Sequence, residues 1–175
     1  MGLVDFDTSH VAVFTQRLNH LEAEERLWVE GAKIVAGCPG DSEMMPERIP
    51  GYTEQLRGYG VELVERPEGL LGKIDAVMIE SQQGKRHLER ARSFLEAGLP
   101  TFVDKPFTAT TAQAEEIIAL AQQHNAPLMT CSSLLSPSRK ERREENDIQS
   151  KGNRSESISL TDGGAGKYGS RCHTH

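Results

Sequence analysis

Three short polar runs interrupt the apolar stretches of this 175-residue chain: Asp5-Phe6-Asp7-Thr8-Ser9-His10, Glu80-Ser81-Gln82-Gln83-Gly84 and Asp104-Lys105-Pro106. Each holds side chains suited to gripping a polar ligand. A lysine at the mouth of a sheet donates a hydrogen bond to a substrate hydroxyl or carbonyl and stabilises charge that develops there. Pro106 fixes the backbone after Lys105 and so the direction in which the lysine points. Thr8 and Ser9, with the amides opening the helix that follows, can hold a phosphate, and His10 adds a donor. Gln82 and Gln83 both donate and accept hydrogen bonds.

These runs gain meaning from the elements around them. Strand-like apolar runs at residues 2–4, 32–36, 60–64, 75–79, 101–103 and 127–131 alternate with helical periodicity. Val11, Phe14, Leu18 and Leu21 recur at helical spacing, and residues 86–97 present Leu88, Ala91 and Leu95 on one face with Gly98 as a C-cap. Thr110 or Thr111 caps a further helix whose stripe is Ala114, Ile117, Ile118 and Ala121. Residues 37–52, interrupted by proline and glycine, read as a long loop. The expected fold is therefore α/β: a Rossmann-like, doubly wound parallel sheet of about six strands. Ligands of such sheets bind beyond the carboxyl ends of the strands, where the strand order reverses. Residues 5–10, 38–41, 80–84 and 104–107 fall there.

The segment from Asp75 through His87 to Ala97-Gly98 and on to Asp104-Lys105-Pro106 resembles the Gfo/Idh/MocA oxidoreductases, relatives of glucose-fructose oxidoreductase and inositol dehydrogenase. The ordered series carries the resemblance: strand, loop, a histidine opening a helix, Ala-Gly closing it, a strand, then an acidic-Lys-Pro triplet. It extends over roughly residues 1–133. The resemblance implies an NAD(P)-binding Rossmann-type domain acting by hydride transfer on a sugar- or polyol-like substrate. It implies that Lys105 lies beside nicotinamide and substrate as the catalytic residue, flanked by Asp104 and Pro106. Ser81, Gln82 and His87 are implied as cofactor contacts, with NAD or NADP as the cofactor.

The first turn departs from the family pattern. A dinucleotide fold of this kind carries G-x-G-x-x-G so that backbone can approach the pyrophosphate, whereas Asp5, Asp7 and His10 stand at the three glycine positions. Two readings stay open. Thr8, Ser9 and His10 hold a phosphate in a modified cofactor site, or Asp7 or Ser9 simply caps the helix and the usual dinucleotide site is gone. The acid that reads the ribose is displaced too, because Cys38-Pro39-Gly40 follows the second strand and Asp41 comes only afterwards.

Composition narrows the function further. The net charge is −6, from 20 Lys and Arg against 26 Asp and Glu, which speaks against nucleic acid or an anionic membrane as partner. A small molecule, or further copies of the chain, fits better. No run has the length of a membrane span and the first residues lack a signal-peptide pattern, so the expected location is the cytoplasm. Cys38, Cys131 and Cys172 form no C-x-x-C pair and read as reduced thiols.

The charge is uneven: 12 basic and 20 acidic residues precede Ser136, whereas 8 basic and 6 acidic residues follow Leu135. The expected division is a nucleotide-binding domain over residues 1–135 and a poorly structured polar tail over 136–175. Residues 139–149 suggest a charged helix and residues 155–161 an edge strand, the opening of the family's second α/β domain, which supplies a catalytic histidine. On this reading the chain is truncated and incomplete as a catalyst. No residue set is assigned to a metal: Cys172, His173 and His175 could bind a soft ion, but a polar end is the simpler reading. The rival to the oxidoreductase reading is a Rossmann-like module that has lost its glycine motif and binds another small ligand or a protein.

Overall fold

The computed structural model describes residues 1–131. The expected helix at 139–149, the edge strand at 155–161 and the group of Cys172, His173 and His175 lie outside them. Six strands form one sheet: β1 (Gly2–Val4), β2 (Ala36–Cys38), β3 (Glu62–Leu63), β4 (Val77–Ile79), β5 (Thr101–Val103) and β6 (Leu128–Met129). Every pairing is parallel and the order is β3-β2-β1-β4-β5-β6, so the order reverses between β1 and β4. This is the expected Rossmann-like α/β architecture. Four helices connect the strands: α1 (His10–Leu18), α2 (Ile49–Gly58), α3 (His87–Glu96) and α4 (Thr111–Gln123). No helix among the described residues is long and apolar enough to cross a membrane.

Successive side chains of a strand point to opposite faces, and helices cover both faces of this sheet. Leu3 and Met78 pack with Phe6, Val11, Ala12, Ile34 and Leu56 on the α1 and α2 side. Val4, Val77, Ile79 and Val103 pack with Ala91, Phe94, Leu95 and Ile117 on the α3 and α4 side. Local signals set the helix ends. The Thr110 hydroxyl accepts from the Gln113 amide to cap α4, and Gly98, at φ 72, follows the end of α3 in the left-handed conformation.

Three expectations need correction. The loop expected at 37–52 gives way to α2, which begins at Ile49. Pro50 sits in its first turn, where a missing N–H costs nothing, and Leu56 is its buried residue. The second strand lies at Ala36–Cys38 rather than 32–36, a run of small residues with weak intrinsic strand preference. Gly37 pairs with Leu3 there, and a Cβ on it would come within 2.6 Å of the buried Phe6 ring, so close approach, not flexibility, requires glycine. Leu21 lies past the end of α1, among His20 and Glu22, which both take positive φ.

Phe94 is completely buried between α3 and the sheet, whereas Thr110 acts at a helix end. Phe94→Ala should lower stability by about 3–5 kcal/mol, and Thr110→Ala by about 1 kcal/mol, read from urea-unfolding midpoints. Equal losses would contradict the packing described for α3.

Candidate functional site

The ladder of the central strands continues one residue beyond each strand. Asp5 N–H donates to Cys38 O at 3.0 Å, Glu80 N–H to Val4 O at 2.9 Å and Asp104 N–H to Ile79 O at 2.9 Å. Three acidic residues thus emerge side by side at the carboxyl ends of β1, β4 and β5, across the reversal of strand order. All three are buried, as are Asp7, Thr8, Ser81, Gln83 and His87.

In the first turn Asp5 takes φ 65, the conformation that a glycine would supply there. Its carboxylate is drawn across to Arg90 of α3, whose Nε donates at 3.1 Å. Gly40, at φ 65, lies against the same carboxylate, and a Cβ on it would stand 1.8 Å from Asp5 Oδ1. Burial pushes the Asp5 carboxyl up to about 6, with Arg90 opposing the rise. Asp7 accepts from the Gln82 amide at 3.1 Å and from the Ser42 hydroxyl at 2.7 Å, while the Gln82 side chain donates to Asp7 O. Ser9 occupies the N-cap position of α1 without a side-chain hydrogen bond, so neither Asp7 nor Ser9 caps the helix through its side chain. The Thr8 hydroxyl accepts a long bond, 3.4 Å, from His10 N–H.

His10 opens α1 and leans on the Phe14 ring, with centroids 5.4 Å apart. Its Nδ1 lies 2.7 Å from Asp104 Oδ2 and 3.7 Å from Glu80 Oε2. Lys105, half exposed, brings Nζ to 3.5 Å from the same Asp104 oxygen, and the peptide to Pro106 is cis. Glu80 is fully buried and neither of its carboxyl oxygens has a hydrogen-bond partner. Burial, and secondly the neighbouring Asp104, push its carboxyl up to about 8.

His87 lies behind this group. Its Nε2 is 2.7 Å from Ser81 O and its Nδ1 2.9 Å from Phe107 O, so the ring spans the loops that follow β4 and β5. Ser81 Oγ accepts from the Gln83 amide at 3.2 Å and shapes the first of those loops. Asp41, exposed beyond β2, pairs with Arg86 and Arg90, each at 2.6 Å, and the Arg86 guanidinium holds its carboxyl below the usual range. With Glu43, Lys85 and Glu89 these residues line a cleft of about 350 Å³. Asp41 thus reaches the edge of the site, whereas Thr8, His10, Ser81, Gln82, Asp104 and Lys105 meet at the reversal of strand order.

Residues 45–131 match the Gfo/Idh/MocA model, described as an oxidoreductase family with an NAD-binding Rossmann fold. This stretch, 87 of the 175 residues, belongs to the family. Within the Gfo/Idh/MocA oxidoreductases, the chain is 33% identical over 93 residues to the uncharacterized oxidoreductase YdgJ of Escherichia coli, a match covering 52% of this chain and 27% of that protein. It is 30% identical over 116 residues to D-apiose dehydrogenase of Paraburkholderia graminis, covering 63% and 28% respectively. The matches thus span little more than a quarter of the length of these curated relatives. Two solved structures share the fold. One is a variant of a 3-ketoreductase from Actinomadura kijaniata in complex with TDP-benzene and NADP: 24% identity, TM-score 0.56, covering 86% of this chain and 43% of that one. The other is an oxidoreductase from Agrobacterium radiobacter in complex with NAD+, L-tartaric acid and magnesium: 20% identity, TM-score 0.57, covering 74% and 34%.

Sequence reasoning misses the roles of two participants. Glu80 falls in a ligand-facing run with no role of its own, and Arg90 has the pattern of an exposed helix residue. The signal for Glu80 is an acid directly after an apolar central strand. For Arg90 it is the i+4 spacing from Arg86, which puts two guanidinium groups on one helix face.

The raised Asp5 carboxyl makes stability depend on pH. The folded protein retains a proton that the unfolded chain has released, so this contribution is full below about pH 4 and is lost as the pH rises through about 6. Asp5→Asn keeps a residue that tolerates positive φ and removes the titration. Between about pH 4 and pH 7 the stability difference should move in the variant's favour by roughly 1–3 kcal/mol. Urea unfolding at both pH values checks this, and an unchanged difference would contradict it.

Proposed function

We propose that this chain is the dinucleotide-binding part of an NAD(P)-dependent Gfo/Idh/MocA oxidoreductase acting on the hydroxyl or carbonyl of a sugar- or polyol-like substrate. One observation carries the reading: Lys105, Asp104 and the amino end of α1 converge where the strand order reverses, the place at which a doubly wound sheet takes its ligand. The similarity to D-apiose dehydrogenase supports a sugar-like substrate, and the complexes of the similar structures with NAD+ and NADP support the cofactor.

The altered first turn fits such a cofactor. Asp5 preserves a glycine-like backbone at φ 65, and both turn carboxylates are engaged by donors from other elements, Asp5 by Arg90 and Asp7 by Gln82 and Ser42. Thr8, Ser9 and the amides that open α1 would hold the pyrophosphate. Asp41, beyond β2, would read the adenosine ribose, with Arg86 and Arg90 beside it. Ser81 and Gln82 would line the nicotinamide side, while His87 keeps their loop in register with the Lys105 loop. When bound, the cofactor supplies a nicotinamide that accepts or donates hydride. Lys105 donates a hydrogen bond to the substrate oxygen and stabilises the negative charge that builds on it, and Asp104 orients the ammonium group.

Calorimetric titration tests this. One site with a dissociation constant below about 1 mM is expected for NAD or NADP. Ser9→Glu, which sets a carboxylate at the amino end of α1, should weaken it roughly tenfold. Lys105→Ala should retain the cofactor. The absence of both heat and thermal shift with either cofactor at millimolar concentration would overturn the reading.

A further inference from the structure

Three side chains from three elements meet beside Lys105: His10 at the start of α1, Glu80 after β4 and Asp104 after β5. One ring nitrogen and one carboxylate oxygen from each acid all lie within 4.8 Å of one another. We infer that this cluster binds a divalent transition-metal ion of the Mn2+, Co2+ or Zn2+ class, held by His10 Nδ1 and by one oxygen each of Glu80 and Asp104.

The decisive feature is Glu80. Its side chain is fully buried, neither oxygen has a hydrogen-bond partner, and Oε2 is 3.7 Å from His10 Nδ1. A polar group left unpartnered in the interior is costly, and native folds satisfy nearly all of them. A merely neutral acid would give its O–H to an acceptor, and Glu80 has none among the described residues. A cation satisfies it and removes the repulsion between Glu80 and Asp104.

Spacing agrees with this. An ion that holds nitrogen and oxygen ligands at about 2.0–2.2 Å separates them by roughly 3–3.5 Å, and the two measured separations from His10 Nδ1, 2.7 and 3.7 Å, bracket that range. One imidazole with two carboxylates suits borderline transition metals better than Ca2+ or Mg2+, which favour all-oxygen sites, or Cu(I), which favours thiolates. Among the described residues three protein ligands converge and the His10 side chain is 31% exposed, so further coordination positions open outward. That is the pattern of a site that exchanges ligands rather than a closed structural one. The position beside Lys105 would take water or an oxygen of a bound anion or sugar.

The test uses the full chain stripped with chelator and titrated with Mn2+, Co2+ and Zn2+, with no dinucleotide present. Its outcome is therefore separate from that of the cofactor titration. Cys172→Ser, His173→Ala and His175→Ala together form the background, which removes the soft ligands near the carboxyl end. One ion per chain is expected in that background, with a Co2+ visible spectrum free of thiolate-to-metal absorption. Glu80→Gln, Asp104→Asn and His10→Phe should each weaken binding roughly tenfold or more, with unchanged circular dichroism. Should Glu80→Gln fail to fold, His10→Phe at the exposed edge carries the test. No stoichiometric binding in the background protein, or undiminished affinity in folded His10→Phe, would overturn the proposal.

Discussion

The parallel hydrogen-bond ladder of β1, β4 and β5 does not stop at the apolar residues. It draws in the next residue of each strand, and in all three that residue is an acid. Register therefore forces Asp5, Glu80 and Asp104 together in a part of the sheet from which water is largely excluded. Removing a carboxylate from water costs several kcal/mol unless something replaces the lost hydration, and the surrounding structure answers each one differently. Asp5 reaches Arg90 on α3, Asp104 reaches His10 and Lys105, and Glu80 has no hydrogen-bond partner among the described residues. The loops that follow the strands are shaped by these answers.

The same register explains the division of labour among the loops. Asp7 pins the loop after β4 to the loop after β1 through Gln82, and His87 pins it to the loop after β5 through Ser81 and Phe107. Three segments distant in sequence are thereby tied into one surface. Lys105 is half exposed, on a frame in which Asp7, Glu80, Ser81, His87 and Asp104 are buried.

Much of this frame is legible in the amino-acid sequence alone. The apolar runs at 75–79 and 101–103 and the Thr110 cap are local patterns that survive folding intact, whereas of the expected α4 stripe Ile117 and Ala121 are buried and Ile118 faces outward, 42% exposed. Helix α2 is not legible in the same way, because Pro46, Pro50 and Gly51 look like breakers until the first of them is seen in a preceding turn and Pro50 in the first helical turn. Within the site, position relative to the strands marks Thr8, His10, Asp104 and Lys105. It does not reveal that Glu80 lacks hydrogen-bond partners among the described residues, which depends on neighbours far along the chain, or that Arg90 turns inward to an aspartate 85 residues away.

The interlock of Asp5, Gly40 and Arg90 also bears on how such a turn can change by descent. A glycine at position 5 would suit the backbone, yet it would strand the Arg90 guanidinium, only 13% exposed, with Asp41 and Glu89 as its remaining carboxylate partners. Any side chain at position 40 would collide with the aspartate. The acidic turn is in that sense locked at two points: without Asp5 the Arg90 guanidinium loses its buried partner, and with Asp5 in place no residue larger than glycine fits at position 40.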